Sequence, residues 1–132
     1  MTHLFVPFEI AKLAREKGFD EECMAIFRDE KWKGPVSGNF KIKNSEFKHG
    51  DITAPLYQQL VDWFREKYNI HIHLTRVYEY IDNKPRTFDG WCVYLDNNTE
   101  EELEANQRFV KEFYLSYYEA LNQALLEAFK LI

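Results

Sequence analysis

Cysteine is nearly absent from this chain, and long apolar runs are missing from it. Cys23 and Cys92 are its two thiols in 132 residues, too few for the disulfide framework of a small secreted domain. No apolar run approaches the roughly 20 residues that a spanning helix needs. The opening stretch MTHLFVPFEI lacks the basic start, long apolar run and small-residue cleavage site of a signal peptide. The expected location is cytoplasmic, with both cysteines reduced and buried as packing residues.

Positive charge is also in short supply. Lys and Arg number 17 against 22 Asp and Glu, a net of −5. Phosphate backbones demand an electropositive face, so generic binding of duplex DNA is not expected. Catalytic signatures are missing as well: there is no G-x-S-x-G, H-E-x-x-H, C-x-x-C, G-x-x-x-x-G-K-[ST] or G-x-G-x-x-G. The expectation is a protein that is not an enzyme and holds no cofactor.

What the chain has in excess is aromatic side chains, 11 Phe, 8 Tyr and 3 Trp. In a domain of this size they point to a core filled with large rings. VPFEIAKLAREKGF predicts a first helix, with Pro7 at its first position and Gly18 ending it. CMAIFRDEKW predicts a strand with Cys23, Ala25 and Phe27 on one face and Met24, Ile26 and Arg28 on the other, apolar enough on both to be covered. From Lys33 to Ile52 turn formers dominate, and the segment reads as a long loop in which NFKIK forms a short strand or an arm. TAPLYQQLVDWFREKYN predicts a second helix, capped by Thr53 with Pro55 in its first turn and closed by Asn69. Its apolar stripe is Leu56, Leu60, Trp63 and Phe64.

IHIHLTRVYEYI and TFDGWCVYL, separated by DNKP, predict a long hairpin with His71, His73 and Thr75 on one face. Two capping boxes follow, Thr99 with Glu102 and Ser116 with Glu119. The second favours a break near Ser116, with RFVKEFYL before it open to a strand. After it comes a helix with a stripe of Tyr117, Leu121, Ala124, Leu125 and Ala128. The sum is one α+β domain over 1–132: a small, mostly antiparallel sheet of about three strands covered by about three helices.

Three groups of residues are candidate sites. The segment from 28 to 49 is locally basic and interleaves cations with aromatic rings. Lys31, Trp32, Lys33, Lys41, Lys43 and Lys48 are its candidate ligand-binding residues, suited to a small phosphorylated ligand or a nucleic acid. His71 and His73 are weak candidate metal ligands, with Cys92, Asp89 or His49 as a third. A Cys92–His73 pair is a conceivable nucleophile and base. The acidic run EEELE reads as a helix start, because neighbouring carboxylates on a helix do not converge. The second helix has a neutral outer face, which is not that of a DNA-reading helix.

LFVPFEIAKLAREKGFDEECMAIF, APLYQQLVDWFREKYNIHI and SYYEALNQALLEAFKLI together resemble a group of small proteins encoded by phages and prophages of gut Bacteroidetes, to which no activity is assigned. The resemblance covers about half of the chain. Those proteins often read Glu-Pro-Cys where this chain has Glu21, Glu22 and Cys23. The resemblance implies a phage-derived accessory protein in the host cytoplasm that binds a host protein or sequesters a small nucleotide signal. The expected partners are a host or phage protein, or a second copy of the chain as a homodimer, for which the apolar stripe of the last helix offers a seam. The alternatives are a binder of a small phosphorylated ligand or nucleic acid through the basic 31–49 loop, and a small metal-dependent enzyme at His71 and His73.

Overall fold

The computed structural model describes residues 2–35, 41–47, 50–96, 107–114 and 116–132, with the backbone alone described at 78–81, 85–89 and 107–113. The chain is α+β, and it divides into two compact units, Met1–Trp63 and Phe64–Ile132. Each holds one three-stranded antiparallel sheet. The sequence reading expected a single small sheet. The second arises because segments read as loop and as the far end of a strand pair with each other.

In the first unit, α1 spans Phe8–Glu16 and buries Ile10, Ala11 and Ala14. Pro7 is its N-cap, one position earlier than the sequence suggests. The helix ends as expected: Gly18 takes φ +91, so that its N–H reaches Arg15 and the N–H of Phe19 reaches the carbonyl of Ala14 at 2.8 Å. Phe19 then packs edge-on against Trp63 at 5.6 Å.

Strand β1 is only Ala25–Arg28. Asp29 and Glu30 turn the chain with φ of +50 and +64, and β2 returns over Lys31–Pro35. Two successive positive φ values match the right-handed twist of a hairpin, a geometry usually given to Asn-Gly. That is why DEKW, with neither residue, reads as a continuing strand. β1 is covered on one face, not two: Cys23, Ala25 and Phe27 are buried while Met24 is 44% exposed.

Strand β3, Ile52–Ala54, pairs on the other side of β1. Thr53 therefore lies inside a sheet, opposite Ile26, and does not cap α2. Its β-branched neighbourhood favours the strand. Helix α2 begins later, at Tyr57–Tyr68, and the Gln59 side chain does the capping by accepting the Leu56 N–H at 2.9 Å.

The boundary between the units falls inside α2. Asn69, at φ +54, closes this helix as expected, and the N–H of Ile70 bonds the carbonyl of Phe64. In the second unit β4 spans His71–Ile81, turns at Asp82 and Asn83 and returns as β5, Lys84–Asp96. Strand β6, Gln107–Tyr114, adds to β5, and Ser116 caps α3, Tyr117–Phe129, by accepting the Glu119 N–H at 3.1 Å. RFVKEFYL is thus largely a strand, and the break near Ser116 is real. The Thr99–Glu102 box lies outside the described residues.

Register sorts the hairpin's faces. Ile72, Leu74 and Arg76 sit opposite Leu95, Val93 and Trp91 on the face that α3 packs against. His71, His73 and Thr75 sit opposite Asp96, Tyr94 and Cys92 on the other face. The core of this unit joins Val93 and Leu95 to Leu121, Ala124, Leu125 and Ala128, with Phe64 edge-on against Phe129 at 4.8 Å.

Candidate functional site

The basic segment does not form one aromatic, cationic platform. Lys31 and Lys33 are exposed on β2, while Trp32 between them is half-buried. Its ring lies 5.7 Å from that of Phe5 and against Gly34, where a Cβ would stand 3.3 Å from the indole. Gly34, at φ +78, leaves the room the indole uses. The ring thus serves packing, although its Nε1 is buried with no hydrogen-bond partner. Lys41 is exposed and Lys43 half-buried, on either side of Ile42, which bridges Cys23. Lys48 lies outside the described residues.

Part of the local positive charge is already answered. Asp51 takes the Arg28 guanidinium with both oxygens, from Nε at 3.1 and 3.2 Å and from Nη2 at 2.7 Å. These bonds raise the guanidinium's pKa further, so Arg28 is a fixed cation.

The histidines do share a face. Their rings are nearly parallel with centroids 6.5 Å apart. The structure adds a residue that sequence reading missed: Asp96, buried and directly opposite His71, with its carboxylate 3.6 Å from His73 Nε2. The two-residue turn at Asp82 and Asn83, with bulges after it, sets this register. His71 Nε2 is turned toward Asn69 Oδ1, at 3.0 Å. Among the described residues no three of His, Cys, Asp and Glu come together as a metal site. Of the expected third ligands, Cys92 is buried on this face opposite Thr75, whereas His49 and the Asp89 side chain lie outside the described residues. Among the described residues no hydrogen bond joins His73 to Cys92, and the His73 imidazole addresses Asp96.

The other thiol is placed for packing. Cys23 is 1% exposed, and burial pushes its thiol up to about 11. At neutral pH it is protonated and a poor nucleophile.

A cluster absent from the sequence reading lies where β4, β5 and α3 meet. The Arg76 guanidinium sits over the Trp91 ring, 5.9 Å from its centroid. Trp91 meets Tyr117 edge-on at 5.1 Å, and Tyr117 meets Tyr118 edge-on at 5.5 Å. Tyr114, opposite Trp91 on β6, is buried. Burial raises its phenol pKa, with Glu127 and Glu119 adding to the effect. Helical spacing puts Tyr117 on the apolar stripe of α3, yet it is 43% exposed. Its position just after the Ser116 cap was the available signal, since a first-turn side chain reaches past the end of the helix it covers.

A shallow groove of about 350 Å³ lies in the first unit between α1 and the start of β3, with Phe8 and Ile52 lining it and Lys12, Arg15 and Glu16 at its rim. No family model, no curated protein and no solved structure matches the chain.

Proposed function

We propose that this chain is a non-catalytic accessory binding protein of the phage or prophage kind, acting in the host cytoplasm on a host protein or on further copies of itself. The observation that carries this reading is the cluster of Arg76, Trp91, Tyr117 and Tyr118 at the surface of the second unit. Trp, Tyr and Arg are the side chains that contribute most at protein interfaces, because they bury large rigid area and still offer polar tips. Here they hold one another in place before any partner arrives, which lowers the entropy lost on binding.

The test is a photo-crosslinking phenylalanine at Tyr117, with Lys130 as the control position, in host cells. The expected result is a discrete crosslinked species from 117 that Arg76→Glu abolishes. Crosslinking no stronger than at 130, or a turnover lost on changing His73 or Cys92, overturns the reading.

A second reading is a small phosphorylated ligand or nucleic acid held by the first unit, favoured by the exposure of Lys31, Lys33 and Lys41. Lys41→Glu with Lys43→Glu then abolishes a salt-sensitive binding. Binding that ignores salt and both substitutions counts against it.

A further inference from the structure

Strand order β4-β5-β6 makes β4 an edge strand. At 11 residues it is about twice the usual strand length. Natural edges are normally guarded by brevity, Lys or Pro, because open N–H and C=O groups invite another strand. Both edges of the first sheet follow that rule: β3 is three residues long, and β2 is five residues long and carries Lys31, Lys33 and Pro35. β4 contains neither Lys nor Pro; up to Val77 its one formal charge is Arg76, and the bulges in its pairing begin only after Val77. Among the described residues no strand runs along its outer side, and its side chains from His71 to Val77 are half-buried or exposed.

We propose that the outer edge of β4 pairs antiparallel with β4 of a second copy, joining two three-stranded sheets into one of six across a two-fold axis. This develops the self-association half of the binding reading and rests on that half alone. A second copy fits because antiparallel pairing of identical strands is self-complementary: each open donor meets an acceptor of the same strand in the other chain.

The straight run before the first bulge, between Val77 and Tyr78, is His71 to Val77. Its midpoint is Leu74, half-buried in the single chain. Centring the axis on Leu74 keeps every side chain on its own face. Leu74 then meets Leu74 of the copy, Ile72 meets Arg76, His73 meets Thr75 and His71 meets Val77. No like charges oppose each other. Moving the axis to Arg76 would set two guanidinium groups face to face, and moving it to Ile72 would set His71 against His73.

Sedimentation equilibrium over roughly 1 to 300 μM protein tests this. The expected mass rises from that of the 15.9 kDa chain to twice that value. Leu74→Arg, which places two cations on the axis, weakens the dimer about tenfold or more. Leu74→Cys forms a symmetric disulfide under mild oxidation, since paired strand positions lie within bridging distance, and Lys33→Cys on β2 does not. A mass of one chain throughout, a dimer indifferent to Leu74→Arg, or equal bridging from Lys33→Cys overturns the proposal. Where Leu74→Arg does not fold, Leu74→Cys decides. Crosslinking from Tyr117 to a host protein that survives Leu74→Arg would leave the partner reading standing while the dimer fails.

Discussion

The buried amide of Asn44 ties Phe19 to Thr53. Its Nδ2 donates to the carbonyl of Phe19 at 2.9 Å, and its Oδ1 accepts the N–H of Thr53 at 2.9 Å. One side chain thus joins the exit of α1 to the middle of β3 and satisfies two backbone groups in the interior of the first unit. Buried polar groups without partners are expensive, so the arrangement works only as a whole.

Asn44→Ala is expected to lower stability by about 2 to 4 kcal/mol, because it strands both the Phe19 carbonyl and the Thr53 N–H. Urea unfolding followed by Trp fluorescence measures this. Asn44→Asp keeps the acceptor for Thr53 and loses the donor to Phe19, while burying a charge at neutral pH. Its deficit should therefore shrink on acidification, when the carboxyl is protonated and can donate. An Asn44→Ala midpoint equal to that of the parent would mean the amide is a bystander.

The hairpin turn at Asp29 and Glu30 offers a stabilising change. Both residues hold positive φ, which suits Asn and Gly far better than Asp and Glu. Asp29→Asn with Glu30→Gly is expected to add about 0.5 to 1 kcal/mol, read as a rise in Tm. A loss of stability would show that the carboxylates make a compensating contact.

That turn also marks the limit of what the residues disclose on their own. Elements with strong periodicity or an explicit cap were legible: α1 with Gly18, α2 with Asn69, the long hairpin, and α3 from Ser116. The β1–β2 hairpin was not, because its turn lacks the residues its geometry prefers. The start of α2 was misplaced because Thr53 is equally good as a cap or as a strand residue, and pairing with β1 decides it. The histidine pair was legible from spacing two along a strand. Asp96 was not, since it depends on a register that runs through bulges. The aromatic cluster unites residues from three elements, and only tertiary packing reveals it.

Cys23 gives the chain a defined alkaline response. The thiol is pushed up to about 11 in the folded protein by burial, whereas in the unfolded chain it ionises near pH ~8.5. Between those values the folded state keeps a proton that the unfolded state has lost. Stability from this group is therefore complete below the unfolded value and declines as pH rises through it. The parent should lose on the order of 2 kcal/mol more than Cys23→Ala between roughly pH 7.5 and 10. Denaturant midpoints of both proteins across that range test the sign. Parallel curves would mean the thiol ionises alike in both states.

The cap of α3 should be separable from the packing behind it. Ser116→Ala removes the acceptor for the Glu119 N–H and is expected to cost about 1 kcal/mol. Ser116→Asp, which restores an acceptor and adds charge at the positive end of the helix, should recover most of it. Equal losses in both variants would assign Ser116 some other role.

The surface cluster makes the most direct link from fold to function. Tyr117 is exposed and touches Trp91, so Tyr117→Ala removes interface area without opening the core. Its effect on the urea midpoint should be small, about 0.5 kcal/mol or less, in line with other surface truncations. Arg76→Glu should likewise spare the fold, since an exposed cation over the half-buried Trp91 ring contributes about 0.5 to 1 kcal/mol. Against a captured partner, each change should weaken binding about tenfold or more, because truncating an anchoring ring at an interface costs well over 1 kcal/mol. Stability and binding thus move apart at these two positions. If Tyr117→Ala unfolds the second unit instead, the ring belongs to the core, and the binding surface must be sought elsewhere.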